Sequence, residues 1–149
     1  MRSVAVRRQK AERRALMRFT VDRLDHLVLS VRDVAITTGW YQRVLGMAHE
    51  EYGQNRRTAL MFGGQKINLR PADTKQDDWG TARAVAPGTA DLCFVTAVGS
   101  AEVVAHLQTC GVVIELGPVA RLGALGPMTS VYCRDPDGNL IEVASYLPD

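Results

Sequence analysis

At 149 residues the chain has the length of a single domain, and no apolar run approaches the roughly 20 residues that a membrane-spanning helix needs. Hydrophobic residues make up 46% and charged residues 23%, which is ordinary for a soluble globular protein and unlike a disordered or fibrous one. Cys93, Cys110 and Cys133 are odd in number and lack C-x-x-C spacing; this argues against a disulfide framework or a zinc knuckle and suits a reducing, cytoplasmic setting.

The formal net charge of +2 conceals an uneven distribution. Residues 1–18 hold seven basic residues and one acid, Glu12, so this head carries +6 and the rest of the chain −4. An Arg-rich, acid-poor head reads as a nucleic-acid arm or a transit peptide, but it is short and lacks the apolar stretch of a secretory signal. The simpler reading is a solvated, poorly ordered head over residues 1–20, with Met17 as an alternative start and neither nucleic acid nor membrane as partner. The domain then occupies residues 21–149.

Residues 23–31, RLDHLVLSV, alternate: Leu27, Leu29 and Val31 face one way, His26, Val28 and Ser30 the other. Asp33 sits at an N-cap, Val34, Thr38, Tyr41 and Leu45 recur at helical spacing, and Gly46 is the natural C-terminal stop. Strands follow over 47–52, 58–62 and 66–70. Residues 71–89 are polar and aperiodic, a connector long enough to suggest a role of its own.

The pattern then restarts. A strand spans 91–97, Ser100 caps a helix with Val103, Leu107 and Cys110 on one face, and Gly111 ends it. A strand over 112–115, a Gly-rich loop over 121–127, a strand over 130–133 and a final strand over 139–145 complete the chain. Asp135-Pro136-Asp137-Gly138 has the chemistry of a tight turn. The last strand turns Ile141 and Val143 to one face and Leu140, Glu142 and Ala144 to the other. A lone carboxylate on an apolar face is costly unless a cation compensates it or the face is wet.

The chain thus reads β-α-β-β-β twice, as module one (22–71), connector (72–89) and module two (90–147). His26 and Asp91 are 65 positions apart, as are Gly46 and Gly111; Asn68 and Glu142 are 74 apart because the second half carries the longer loop. Repetition on this scale points to a duplicated unit, and it pairs His26 with Asp91 and Asn68 with Glu142.

The duplicated unit, the His in LDHLVLSV, the helix end WYQRVLGM and the ending DPDGNLIEV resemble the vicinal-oxygen-chelate superfamily, which includes glyoxalase I, extradiol dioxygenases and fosfomycin- and bleomycin-resistance proteins. QKINLRP, PGTADLCF, GPVARLGALGP and RDPDGNLIEVASY are similar to the glyoxalase domain-containing protein 5 group. The resemblance covers about residues 22–147. It implies an α+β fold of two βαβββ modules curling into a cupped mixed sheet, with a divalent metal held by the first and last strands of each.

Carried over by position, His26 and Glu142 match family metal ligands. Asp91 falls where glyoxalase I and fosfomycin-resistance proteins place a second His, Asn68 where glyoxalase I places a Glu, and Arg70 where the nearest group commonly has His. A His26/Asp91/Glu142 set is oxygen-rich and suits Mn, Ni, Zn or Mg more than a dedicated Fe site. Asn68 cannot act as a base, so glyoxalase I activity is disfavoured, and a single His disfavours extradiol chemistry.

The resemblance therefore implies a cytoplasmic homodimer whose interface lies beside the cup. It would act as a lyase, isomerase or dioxygenase-type enzyme on a small oxygen-rich or anionic metabolite, with Glu142 catalytic. The alternative is a metal-free binding protein of the bleomycin-resistance type. Asn68, Arg70 and Arg121 are the candidate substrate-binding residues. Arg70 reads either as an anion clamp or as a rim residue reaching to water, and Arg121, in the loop at the cavity mouth, has the same two readings. Trp79 could flank the site, His49 and His106 read as surface residues, and Cys93 as a small buried hydrophobe.

Overall fold

The computed structural model describes residues 19–148. The basic head expected over 1–20 lies almost wholly outside them. The elements run β1 (His26–Val31), α1 (Val34–Leu45), β2 (Ala48–Tyr52), β3 (Arg57–Phe62), β4 (Gln65–Pro71), β5 (Asp91–Val95), α2 (Ser100–Thr109), β6 (Leu116–Gly123), β7 (Gly126–Arg134) and β8 (Leu140–Ser145). They form two four-stranded sheets, ordered β1-β4-β3-β2 and β5-β8-β7-β6.

The duplication is visible in the registers. β1 pairs parallel with β4, setting His26 opposite Lys66 and Val28 opposite Asn68. β5 pairs parallel with β8, setting Asp91 opposite Leu140 and Cys93 opposite Glu142. His26 and Asp91 therefore hold equivalent positions, as do Asn68 and Glu142, at the offsets of 65 and 74 read from the sequence.

Alternation sorts each strand into two faces. Leu29, Val31, Leu60, Ile67 and Leu69 of the first sheet and Val131, Cys133, Ile141 and Val143 of the second point inward, onto Tyr41, Val44, Val103 and Leu107 of the helices. This is one continuous core shared by both modules. His26, Asn68, Cys93 and Glu142 lie on the opposite, outer faces.

α1 starts as expected: the Asp33 carboxylate accepts from Ile36 N at 2.8 Å, and Gly46 ends the helix at φ 66°. α2 starts one residue earlier than Ser100 as a cap implies. Gly99 holds the cap position and Ser100 is the first helical residue, buried beneath the turn.

A second difference concerns residues 112–127. The segment 112–115 is an extension rather than a strand, tucking Val112 and Ile114 against the core and leaving Val113 in solvent. The stretch 121–127 is not a loop: β6 runs to Gly123 and β7 begins at Gly126, the two glycines facing each other across a tight hairpin. A side chain at Gly123 would collide with the Tyr146 hydroxyl and the Met128 sulfur, and Gly126 sits at φ 122°. The glycines thus serve a close turn, and the looseness their number suggests is absent.

The modules are tied together at the DPDG turn. Asp135, 5% exposed, accepts four hydrogen bonds: from Asp137 N at 2.9 Å, Asn139 N at 2.9 Å, Asn139 Nδ2 at 2.8 Å and the Tyr41 hydroxyl of α1 at 2.8 Å. Arg32 reaches across from the end of β1 to the Asp137 carboxylate at 3.2 Å. Asn139 Oδ1 accepts from Ala90 N at 2.9 Å, which fixes the entry to β5.

Removing Asp135 strands four donors in a closed site. Asp135→Ala is therefore expected to cost about 3–5 kcal/mol in denaturant unfolding and Tyr41→Phe about 1–3 kcal/mol. Burial, then the Asp135 carboxylate, pushes the Tyr41 hydroxyl above its ordinary value of 10.0. Its neutral form thus stabilises the fold at any pH below 10, and that contribution is lost as pH rises beyond it. In alkaline titration its tyrosinate absorbance should appear only together with unfolding.

Candidate functional site

On the outer face of the first sheet, His26 leads β1 at the free edge. Its Nδ1 lies 2.8 Å from Asp25 Oδ2. An ionised carboxylate can only accept, so Nδ1 carries a proton, and in the neutral ring Nε2 then keeps the free lone pair. The bond to His26 in turn holds the Asp25 carboxyl below its ordinary value. Asn68 is buried opposite Val28 and Ala59, and among the described residues neither its Oδ1 nor the buried Ser30 hydroxyl has a partner.

Arg70 departs from both readings open to it in the sequence. Its parity does place it on the outer face, opposite Ser30, but it is 2% exposed. Its Nη2 donates to Thr74 O at 2.7 Å and its Nε to Trp79 O at 3.2 Å. The guanidinium anchors the connector, so it is neither a rim residue nor a free anion clamp. Trp79 is held by the same fastening, with the Arg57 guanidinium 4.0 Å above its ring.

On the outer face of the second sheet, Glu142 lies between Cys93 of β5 and Tyr132 of β7, each directly opposite it. It is half-buried, and its Oε1 has no partner among the described residues. Arg121 belongs to β6 rather than to a loop at a cavity mouth; its Nε donates to the Tyr132 hydroxyl at 3.0 Å and its Nη1 to Ala120 O at 3.0 Å. Cys93 is exposed on this face rather than buried. Desolvation, then the Glu142 carboxylate, pushes its thiol up to about 11. Tyr132 is also raised, by desolvation first, with Arg121 and Glu142 acting in opposite directions. Asp91 lies two residue pairs along from Glu142, facing Leu140, and is exposed.

The sequence-derived set thus falls into two halves. His26 and Asn68 stand on one sheet, Asp91 and Glu142 on the other, and both outer faces point away from the shared core. Among the described residues no three of His, Cys, Asp and Glu come close enough to share an ion. The unpartnered Glu142 oxygen is an atom that a cation would satisfy, but one chain does not bring His26 to it. His49 is on the surface, and His106 holds Val44 O at 2.9 Å.

The family model for the glyoxalase/bleomycin resistance protein/dioxygenase superfamily matches residues 23–143. The chain belongs to this superfamily. It is 46% identical over 127 residues to virulence protein STM3117 of Salmonella typhimurium, covering 85% of this chain and 86% of that one. An integron cassette protein from the mobile metagenome of V. cholerae shares the structure at a TM-score of 0.83 and 46% identity, covering 88% of this chain and all of the other. The fold alone is shared with the fosfomycin resistance protein FosX of Listeria monocytogenes, at a TM-score of 0.58 and 19% identity, covering 83% of this chain and 90% of that one. That FosX structure is a glutamate-to-glutamine variant complexed with Mn(II) and 1S,2S-dihydroxypropylphosphonic acid.

Two neighbours of the candidate residues were not read from the sequence, Asp25 and Tyr132, and Cys93 was read only as a small buried hydrophobe. Asp25 adjoins His26, but adjacent residues in a strand face opposite sides, so adjacency alone implied no contact. Tyr132 was within reach, since it shares the parity of Glu142 once the strands are paired in register, as Cys93 does.

Cys93 gives a test of this environment. With the thiol at about 11, roughly one molecule in a thousand is thiolate at pH 8, so alkylation in a Cys110→Ser background should be slow and rise about tenfold per pH unit. Glu142→Gln removes the repelling carboxylate and should move the midpoint of the rate profile downward. A midpoint unchanged by the substitution would separate the two side chains.

Proposed function

We propose that the chain works as a homodimer in which the outer face of the first sheet of one copy meets the outer face of the second sheet of the other. His26 would then come from one copy and Asp91 and Glu142 from its partner, joined around a divalent metal in a cup for a small oxygen-rich metabolite. The observation that carries this reading is the separation of the donors onto two different sheet faces, each bearing a buried polar atom without a partner among the described residues: Asn68 Oδ1 on one, Glu142 Oε1 on the other. Among the described residues β1 and β5, the strands bearing His26 and Asp91, are both free edges, and free edges invite pairing. Val28 and Val95 add exposed apolar surface beside them. The Mn(II) complex of FosX supports a divalent ion within this fold.

When bound, such an ion would polarise vicinal oxygens of the substrate. The chain's own residues have separate tasks. Glu142, with one oxygen unengaged, holds or moves a proton at the substrate. Asn68 offers hydrogen bonds but cannot take a proton, which disfavours an isomerisation needing two carboxylate bases and favours a lyase-type or ring-opening reaction with one. With Arg70 engaged by the connector, Arg121 is the cation of the original pair left to meet a substrate anion, and Tyr132 orients it. A metal-free binding protein is the second reading, favoured by the incomplete donor set of a single chain.

Light scattering at micromolar concentration should give twice the mass of the chain. Protein prepared without chelators should contain a divalent metal, and Mn²⁺ or Ni²⁺ at a hundredfold excess over its Kd should add about 2.7 kcal/mol of stability. Glu142→Gln should remove most of that gain while leaving metal-free stability nearly unchanged. No stabilisation by any divalent ion would favour the metal-free binding protein, and a monomeric mass would contradict the shared cup.

A further inference from the structure

We propose that Asp25 is the positioning residue for His26, its carboxylate holding the imidazole in the tautomer and orientation that leave Nε2 as the donor on the outer face. The proposal rests on the reading of His26 as half of a shared cup, and adds the group that prepares it. The contact is 2.8 Å from Asp25 Oδ2 to His26 Nδ1. In a regular strand two adjacent side chains point to opposite faces and cannot meet. They meet here because β1 begins at His26, so Asp25 lies just outside the ladder and its side chain is free to fold back.

The backbone carrying it is nevertheless pinned: Lys66 N donates to Asp25 O at 3.2 Å, and Gln65 Nε2 donates to Leu24 O at 2.8 Å. The cations facing Asp25 are Arg23 and Lys66. The Lys66 ammonium sits 3.8 Å over the Tyr52 ring, and His26 is the hydrogen-bond partner of the Asp25 carboxylate.

Stability does not explain this pair. The side chains are 74% and 46% exposed, and an ion pair so open to water contributes little to folding. What it does fix is which nitrogen carries the proton. Free neutral imidazole favours Nε2–H, which would block the atom aimed at the cup; a carboxylate on Nδ1 reverses that preference and raises the donor strength of Nε2.

The test is two-bond ¹H–¹⁵N NMR of the metal-free protein, at a pH where imidazoles are neutral, with the His26 signal identified by its loss in His26→Ala from among the three histidines. Wild type should show Nδ1–H. Asp25→Ala should revert toward Nε2–H with a melting temperature within about 2 °C of wild type, whereas Asp25→Asn, whose amide oxygen accepts the same bond, should retain Nδ1–H. Zn²⁺ affinity by calorimetry should fall about 10- to 100-fold in Asp25→Ala and less in Asp25→Asn. An unchanged tautomer in Asp25→Ala would overturn the proposal. Absence of Zn²⁺ binding by wild type would instead overturn the metal reading, and the tautomer would still decide the role of Asp25.

Discussion

The architecture depends on one buried carboxylate. Asp135 collects two amides and a side-chain amide from its own turn and the Tyr41 hydroxyl from the other module. Charge-assisted bonds in a closed site are about twice as strong as neutral ones, and each donor would be costly to leave alone. The turn so shaped offers Asp137 to Arg32 and brings its backbone against the connector. A Cβ on Gly88 would stand 2.5 Å from Asp137 O, so only glycine lets the two chains approach. One residue thereby sets how β1, α1, the connector and β8 meet.

Fixing the modules through their helix-bearing sides has a consequence at the opposite surfaces. The core takes Leu29, Val31, Leu60, Ile67 and Leu69 of one sheet and Val131, Cys133, Ile141 and Val143 of the other, and the outer faces are left with polar groups that find no partner among the described residues. The connector covers part of the first sheet, held by Arg70, whose buried guanidinium bonds two of its carbonyls. What stays open is the pair of free-edge strands and the residues on them: His26 with its carboxylate support, and Asp91 and Cys93 beside Glu142. Packing energy is placed in the module-to-module seam, and chemistry on the faces turned away from it.

Much of this was legible in the sequence because it depends on periods. Alternation over 23–31 and 139–145 assigned His26 and Glu142 to the outer faces, and the repeat offsets matched the strand registers. Parity also placed Arg70 on the correct face, yet its role depended on carbonyls nine and four residues along, which no pattern reveals. The 121–127 stretch was misread because glycine serves close packing as well as flexibility, and the strand over 112–115 because three apolar residues in four resemble a buried strand. The separation of His26 from Glu142 was invisible for a different reason: it is a property of how two similar modules are stacked, and both stackings share the same local sequence pattern.

The central claim is that the donors meet between two copies. It is tested most directly by mixing His26→Ala and Glu142→Gln chains, unfolding and refolding them together, and measuring bound divalent metal. Random reassociation puts half the chains in mixed dimers, each with one intact cup of two, so about a quarter of the wild-type capacity should return. Each variant alone should bind little. A mixture that binds no more than the two variants measured separately would contradict the account.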